Sequence, residues 1–253
     1  MRKNLFTILS TAYKKANFLK KWADSIISQD YRPIEVILVD DASRDSTGER
    51  AANIVKLMRR AGITLYYVPM MQRVYCASAY LTAHRHGHGE WFGVLDADDM
   101  LAAGAVSHVV QVYREHPEAR FVYTQFMECN QKMVPRKKGF CKAPATGQSL
   151  LDLAISGKGH GYSHWRTFSA LLPDQQSIWS PGLRCAVDKY MGYRLEELGP
   201  GVFTDHVCYL YRGSTAECIT RNEKTRDTWR SVVKGAVKRR RKFELKPYPI
   251  ITA

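Results

Sequence analysis

Two short acidic clusters carry the strongest chemical signal in this sequence. The first is Val39-Asp40-Asp41-Ala42-Ser43, directly after the aliphatic run Ile34 to Val39. The second is Leu95-Asp96-Ala97-Asp98-Asp99, directly after Trp91 to Leu95. Carboxylates two residues apart in a turn can point the same way, and crowded like charges are costly unless a cation neutralises them. A hard divalent ion, Mg²⁺ or Mn²⁺, that also binds a diphosphate suits such a set of oxygen donors. Aspartates here could equally be turn formers or helix caps. Two clusters at equivalent strand ends favour function, because open parallel sheets bind ligands outside the carboxyl ends of their strands.

The elements that must position these clusters follow from periodicity. Leu5 to Leu9 reads as a buried strand, and Leu19, Trp22, Ala23, Ile26 and Ile27 then repeat at helical spacing. Ile34 to Val39 is a second strand, Ile63 to Val68 a third and Trp91 to Leu95 a fourth. Ser46-Thr47-Gly48-Glu49 fits a capping box for a helix that carries Ala51, Ile54, Val55 and Met58. Gly62 sits where that helix would stop. A helix is expected within Val74 to Ala83. Alternating strands and helices of this kind argue a mostly parallel, Rossmann-like sheet flanked by helices, an α/β fold.

The second half is less regular. Val106, Val109, Val110 and Tyr113 make a helix face, Phe121 to Thr124 a strand, and Gln131 to Lys142 a basic loop. Leu150 to Ile155 and Arg184 to Leu195 read as helices, and Val207 to Tyr211 as a strand. His84, His86 and His88 alternate at the end of a helix, where a solvated helix end is expected. His160, His164, Trp165 and Arg166 could form an aromatic lid over a second substrate, or a packed loop.

Composition bounds the function classes. The chain has 253 residues, 45% hydrophobic and 25% charged, which excludes disordered and fibrous classes. Its net charge of +14 implies an anionic partner. Between Arg221 and Lys246 stand 11 Lys or Arg and 3 acids, a net +8. This tail and the loop from Lys132 to Lys142 are the expected contacts to DNA, an anionic membrane or an envelope glycan. A solvated terminal helix is the bland alternative. No run of 18 apolar residues and no secretory signal are found. The six cysteines form no CxxC pair, so a cytoplasmic, reduced protein is expected, with membrane association left open.

Several segments together resemble family 2 glycosyltransferases. They are Thr7 to Tyr13, Leu19 with Ser25 to Gln29, Glu35 to Thr47, and Leu95 to Asp99, the last similar to that family's DxD signature. The resemblance implies a GT-A fold and transfer of a sugar, with inversion, from a nucleotide-sugar, UDP-linked by preference. By position, Thr11 and Tyr13 would line the base pocket and Asp41 would read the base edge. Asp96 would contact ribose or diphosphate, Asp98 would bind Mn²⁺ or Mg²⁺ with Asp99 in support, and Arg73 would face the nucleotide. Where the family carries an Arg-Asn pair, this chain has Tyr80-Leu81. Arg184 to Arg194 is similar to the family's Glu-Asp segment, with Val187 replacing the first acid. Asp188 is then the candidate general base and Asp205 the runner-up.

The resulting division is a nucleotide-sugar half over 1–105, an acceptor and base half over 106–215, and a basic tail over 216–253. Two acceptor classes stay open: a cell-envelope glycan or lipid-linked sugar, and hydroxymethylated duplex DNA. A non-catalytic nucleic-acid-binding protein with a degenerate GT-A domain is the rival from another class. The complete acidic clusters argue against it. A processive polymerase is not expected, for want of membrane helices and a Gln-x-x-Arg-Trp element.

Overall fold

The computed structural model describes residues 1–157, 159, 161–213 and 223–253. One ten-stranded sheet runs through the molecule, with the strand order β10-β9-β6-β8-β4-β1-β2-β3. Its first part is β1 (Arg2–Ala12), β2 (Ile34–Asp40), β3 (Thr64–Pro69) and β4 (Gly89–Val94), all parallel to their neighbours in this set. Every residue of β2 is buried, as a continuous apolar run between two covered faces requires. Its two acids are both satisfied: Glu35 accepts the Thr7 hydroxyl at 2.6 Å and the His88 N–H at 2.5 Å, and Asp40, at the strand end, accepts the Tyr67 hydroxyl at 2.7 Å.

Helices α1 (Leu19–Ile27), α2 (Thr47–Arg60) and α3 (Tyr75–His86) join these strands. Leu19, Trp22, Ala23 and Ile26 form the buried face of α1, at the expected spacing. Gly62 takes φ +72° just past α2, a conformation that glycine adopts without strain. The expected capping box of α2 does not form, because Ser46 makes no side-chain cap bond. Asp45 holds that turn instead, accepting the Thr47 hydroxyl at 2.6 Å and its N–H at 3.2 Å.

The second part contains β5 (Met100–Leu101), α4 (Ala105–Glu115), β6 (Phe121–Cys129), β7 (Pro135–Lys138), α5 (Leu150–Ile155) and β8 (Arg166–Ser169). A 3₁₀ turn (Gln175–Ile178) precedes α6 (Val187–Leu198) and β9 (Gly201–Arg212). Four short strands were not legible in the sequence: β5, β7, β8, and β10 (Ile250–Thr252), which adds parallel to β9. The basic loop expected over residues 131–142 contains β7, antiparallel to β6. Helix α6 begins at Val187 and not at Arg184, because Ala186 ahead of it is left-handed at φ +57°.

Strand β8 decides where the second half meets the first. It runs antiparallel to both neighbours, β4 and β6. Its first residue, Arg166, therefore pairs with Val94, the last residue of β4. Gly93 lies under Trp165: a Cβ there would come within 2.5 Å of the indole ring, so the close approach needs glycine.

The basic tail forms α7 (Glu223–Phe243), packed on α5 and α6 through Val232 and Ala236. Among the described residues no helix is long and apolar enough to cross a membrane.

Candidate active site

The two acidic clusters come together at the carboxyl ends of β1, β2 and β4. The turn after β1 ties them to each other. Lys14 N–H donates to the Ser43 hydroxyl at 2.9 Å, beside the first cluster. Lys15 Nζ lies 2.6 Å from Asp98 Oδ2 in the second.

The first cluster anchors the start of α3. Asp41, whose side chain is 6% exposed, accepts the N–H groups of Val74 at 2.6 Å and Tyr75 at 3.0 Å. Each carboxylate oxygen retains a second lone pair. Arg73 Nε stands 3.7 Å from the same carboxylate. Its guanidinium lies 3.7 Å over the Tyr13 ring and 4.9 Å over Tyr75, and Arg184 covers Tyr75 at 3.9 Å. Tyr13, Arg73, Tyr75 and Arg184 thus alternate ring and cation, a favourable face-on arrangement. Thr11 sits half-buried on β1 opposite Val39. Four expected nucleotide residues, Thr11, Tyr13, Asp41 and Arg73, therefore share one end of the sheet.

The second cluster is held by residues from three elements, α3, β8 and β9. Asp96, one-third exposed, accepts the Tyr80 hydroxyl from α3 and Arg166 Nη2 at 3.1 Å from β8. Burial pushes its pKa up, but Arg166 and the Tyr80 hydroxyl outweigh that, so it stays below the usual carboxylate range. Asp99 is buried and accepts the Tyr209 hydroxyl and the Arg212 N–H, both at 2.7 Å. Burial and the charges of Asp98 and Asp96 drive its pKa well up. One aspartate of the three is thus pushed toward its neutral form, which relieves the crowding. Asp98 is one-quarter exposed, and its carbonyl accepts Arg212 Nε at 2.7 Å.

Of the two readings left open for the segment around Arg166, a lid or a packed segment, the structure favours the second: Arg166 opens β8 and is buried against Asp96. One of its five N–H groups reaches Asp96, and its Nε–H has no partner among the described residues. His164 is also buried, stacked on Tyr209 with ring centroids 4.4 Å apart. Burial, aided by Arg166, pushes its pKa down to about 3. His160 lies outside the described residues. Burial and then the Asp96 charge push the partly buried Cys76 thiol up to about 12, which keeps it protonated at neutral pH.

Asp188 occupies the first turn of α6, with its side chain 27% exposed and Lys189 Nζ 3.3 Å away. Its charge acts on His164, Arg166 and Cys76, all of which also feel Asp96. Asp188 and Asp96 thus act on the same three groups. Asp205 is elsewhere: it is exposed on β9, bonded to Lys138 at 2.6 Å and to Gln125.

Tyr80, which replaces a family residue, is braced from behind. It stacks on Trp179 at 5.3 Å, and Trp179 Nε1–H donates to His84 Nδ1 at 3.0 Å. His84 Nε2–H then donates to Gln175 Oε1 at 3.1 Å. The expected solvated helix end holds for His86 and His88 but not for His84, which is buried among Phe92, Phe168 and Trp179. Burial lowers its pKa to about 4, below the usual 6.5. The stabilisation that neutral His84 provides is therefore complete above about pH 6.5 and is lost as pH falls through 4. Urea titrations over that range should show stability falling with acid, and His84→Gln should flatten the fall. An unchanged slope would remove His84 from the account.

The tail departs most from expectation. Arg239 and Arg240 face inward, onto Glu196 and Glu197, whose side chains are fully buried. They are spent on the fold and cannot meet a polyanion. Arg221 lies outside the described residues. In the basic loop, Lys138 is engaged by Asp205.

The described residues include no group of three or more His, Cys, Asp or Glu placed to hold a metal. Asp96 and Asp98 nonetheless offer partly exposed carboxylate oxygens, and the Lys15 ammonium lies on Asp98 where a cation would go. Hard donors that leave room for diphosphate oxygens and water suit Mg²⁺ or Mn²⁺.

Comparison with known proteins agrees with this architecture. The chain is 25% identical over 213 residues to chondroitin synthase of Escherichia coli, covering 81% of this chain and 28% of that protein. It is 21% identical to glycosyltransferase RP339 of Rickettsia prowazekii, covering 94% of this chain and 76% of that one. It thus spans under a third of the chondroitin synthase. Among solved structures, S. aureus TarS 1-349 in complex with UDP matches with a TM-score of 0.66 at 17% identity, over 92% of this chain and 65% of that one. Mannosyltransferase PcManGT from Pyrobaculum calidifontis, in complex with GDP-Man and Mn²⁺, matches with a TM-score of 0.61 at 19% identity, over 90% and 68%. The fold is accordingly that of GT-A glycosyltransferases. The family model for glycosyl transferase family 2 matches residues 7–168, from the first strand through β8, so this chain belongs to that family.

Proposed function

We propose that the enzyme transfers a sugar from a UDP-linked donor to a hydroxyl of a polysaccharide or other cell-envelope glycan, with inversion. The carrying observation is the convergence of Tyr13, Asp41 and Arg73 with Asp96 and Asp98 on one sheet end. Solved relatives hold UDP and UDP-GlcNAc, and sequence relatives are named chondroitin and hyaluronan synthases, which supports the donor and a polysaccharide acceptor.

In this reading residues 1–105 hold the nucleotide. Arg73 covers one face of the Tyr13 ring, so a base stacks on Tyr13 from its other face or after Arg73 moves. Asp41 keeps its free lone pairs for the base edge. Asp98, with Asp96 beside it, would hold a divalent ion, which supplies positive charge to the departing diphosphate. Arg166 keeps Asp96 ionised and offers its remaining N–H donors beneath the transferred sugar. Asp188 takes the proton from the acceptor hydroxyl as that oxygen attacks the anomeric carbon. Attack opposite the leaving UDP in one displacement inverts that centre.

Calorimetric titration with UDP and GDP, with and without Mn²⁺, tests the donor site. UDP should bind more tightly than GDP and gain affinity from Mn²⁺. Asp98→Asn should lose that gain and keep the metal-free binding. A preference for GDP, or a full Mn²⁺ gain in Asp98→Asn, would overturn the assignment.

A further inference from the structure

Helix α7 carries a row of cations that the fold does not use. Arg226, Arg230, Lys234, Lys238 and Lys242 are all exposed and stand four residues apart. Each step of four residues advances a helix by about 6 Å and turns it by about 40°, so the five side chains wind in a shallow spiral over roughly 160° of the helix surface, the side away from Val232 and Ala236. Arg241 is exposed beside them. Asp227 pairs with Arg230 at 3.2 Å, near one end of the row. Like charges four residues apart work against the helix that bears them. Packing does not require them, because the inner face is made by Val232, Ala236, Arg239 and Arg240.

Alongside the row runs a groove of about 580 Å³, lined by Val233, Val237, Lys234, Lys238, Arg241 and Lys242. Its floor is apolar and its rim cationic. At the end of the helix Phe243 is 59% exposed and Tyr248, a few residues on, is 48% exposed.

We propose that the outer face of α7 docks this enzyme on an anionic lipid bilayer. The cation row matches a negatively charged headgroup plane. The apolar groove and the exposed rings match the headgroup and acyl boundary, as in helices that lie in a membrane interface. A linear polyanion such as nucleic acid would use the charges and leave the apolar surface idle. The attachment is peripheral and stands apart from the donor site, so it does not rest on the proposed sugar transfer.

The test is co-sedimentation of the full chain with vesicles of phosphatidylcholine alone or mixed with phosphatidylglycerol. Binding should need the anionic lipid and weaken with salt. Replacing Arg226, Arg230, Lys234 and Lys238 together by Gln should weaken partitioning about fivefold per charge removed. The unfolding midpoint and UDP affinity of this variant should not change, which keeps the result separate from any failure of the donor site. Phe243→Ser should weaken vesicle binding and leave binding to duplex DNA or heparin unaffected. The proposal fails if the wild-type chain ignores anionic vesicles, or if the fourfold variant binds them as tightly. Binding to DNA or heparin through the same charges, without vesicle binding, would assign the face to a linear polyanion instead.

Discussion

Replacing Asp188 by Asn should lower turnover by about 10²-fold or more while UDP affinity changes little. The amide keeps the shape of the side chain and removes the proton acceptor. Asp188 is partly exposed in the first turn of α6, whereas the proposed nucleotide residues Thr11, Tyr13 and Asp41 stand at the β1 and β2 end. A base acts on the chemical step, so the loss belongs in turnover at saturating donor. Asp205→Asn is the matched control. That carboxylate is exposed and bonded to Lys138 and Gln125, away from the second cluster, so its variant should keep near-normal turnover. Steady-state UDP release beside calorimetric UDP binding reads both variants. If Asp205→Asn loses turnover and Asp188→Asn does not, the base is Asp205.

Arg240→Ala should destabilise the protein by about 3–5 kcal/mol, the usual cost of removing one partner from a buried ion pair. Arg240 donates from Nε to Glu197 Oε1 at 3.1 Å, from Nη1 to Ser149 Oγ at 3.1 Å, and from Nη2 to Glu196. Glu196 also accepts the N–H groups of Leu150 at 2.7 Å and Leu151 at 3.1 Å. One guanidinium thereby ties α5, α6 and α7 together. Burial pushes Glu196 up to about 7 even with Arg240 beside it. Without that partner the site holds a buried charge or must take up a proton. Urea unfolding measures the loss. Adding Glu196→Gln to Arg240→Ala should recover part of it, because no uncompensated charge then remains at Glu196 and Glu197 keeps Arg194 and Arg239. Asp188 lies eight residues before Glu196 on α6, about 12 Å along its axis. Loosening this end of α6 should therefore also reduce turnover. Full stability in Arg240→Ala would mean that the tail is an appendage.

Much of the first half was legible because its constraints are local. A strand buried on both faces must be an unbroken apolar run, as Ile34 to Val39 is. A covering helix must repeat its apolar residues every three or four positions, as Leu19 to Ile26 does. The turns that follow such strands are where ligands bind, so the acidic clusters announced the site. Short elements gave no such signal. The two-residue β5, four-residue β8 and three-residue β10 are too short for any period to register, and their pairing comes from strands distant in sequence.

The sequence by itself determined the α/β class, the family resemblance, and that Asp41, Asp96 and Asp98 stand just past the ends of two strands. Only the tertiary structure decided what surrounds them. Arg166 meets Asp96 because β8 runs antiparallel to β4, so that its first residue lies where β4 ends. Tyr80 is braced beside Asp96 by Trp179, almost a hundred residues on, which is itself held by His84, one turn further along α3. The tail is one charge run in sequence and two surfaces in space. Arg239 and Arg240 fall on the face of α7 that meets Glu196 and Glu197, while the row from Arg226 to Lys242 falls on the opposite side. Helical spacing fixes which residues share a face. Which face turns inward depends on the buried acids waiting on α6, and no local pattern in α7 encodes their position.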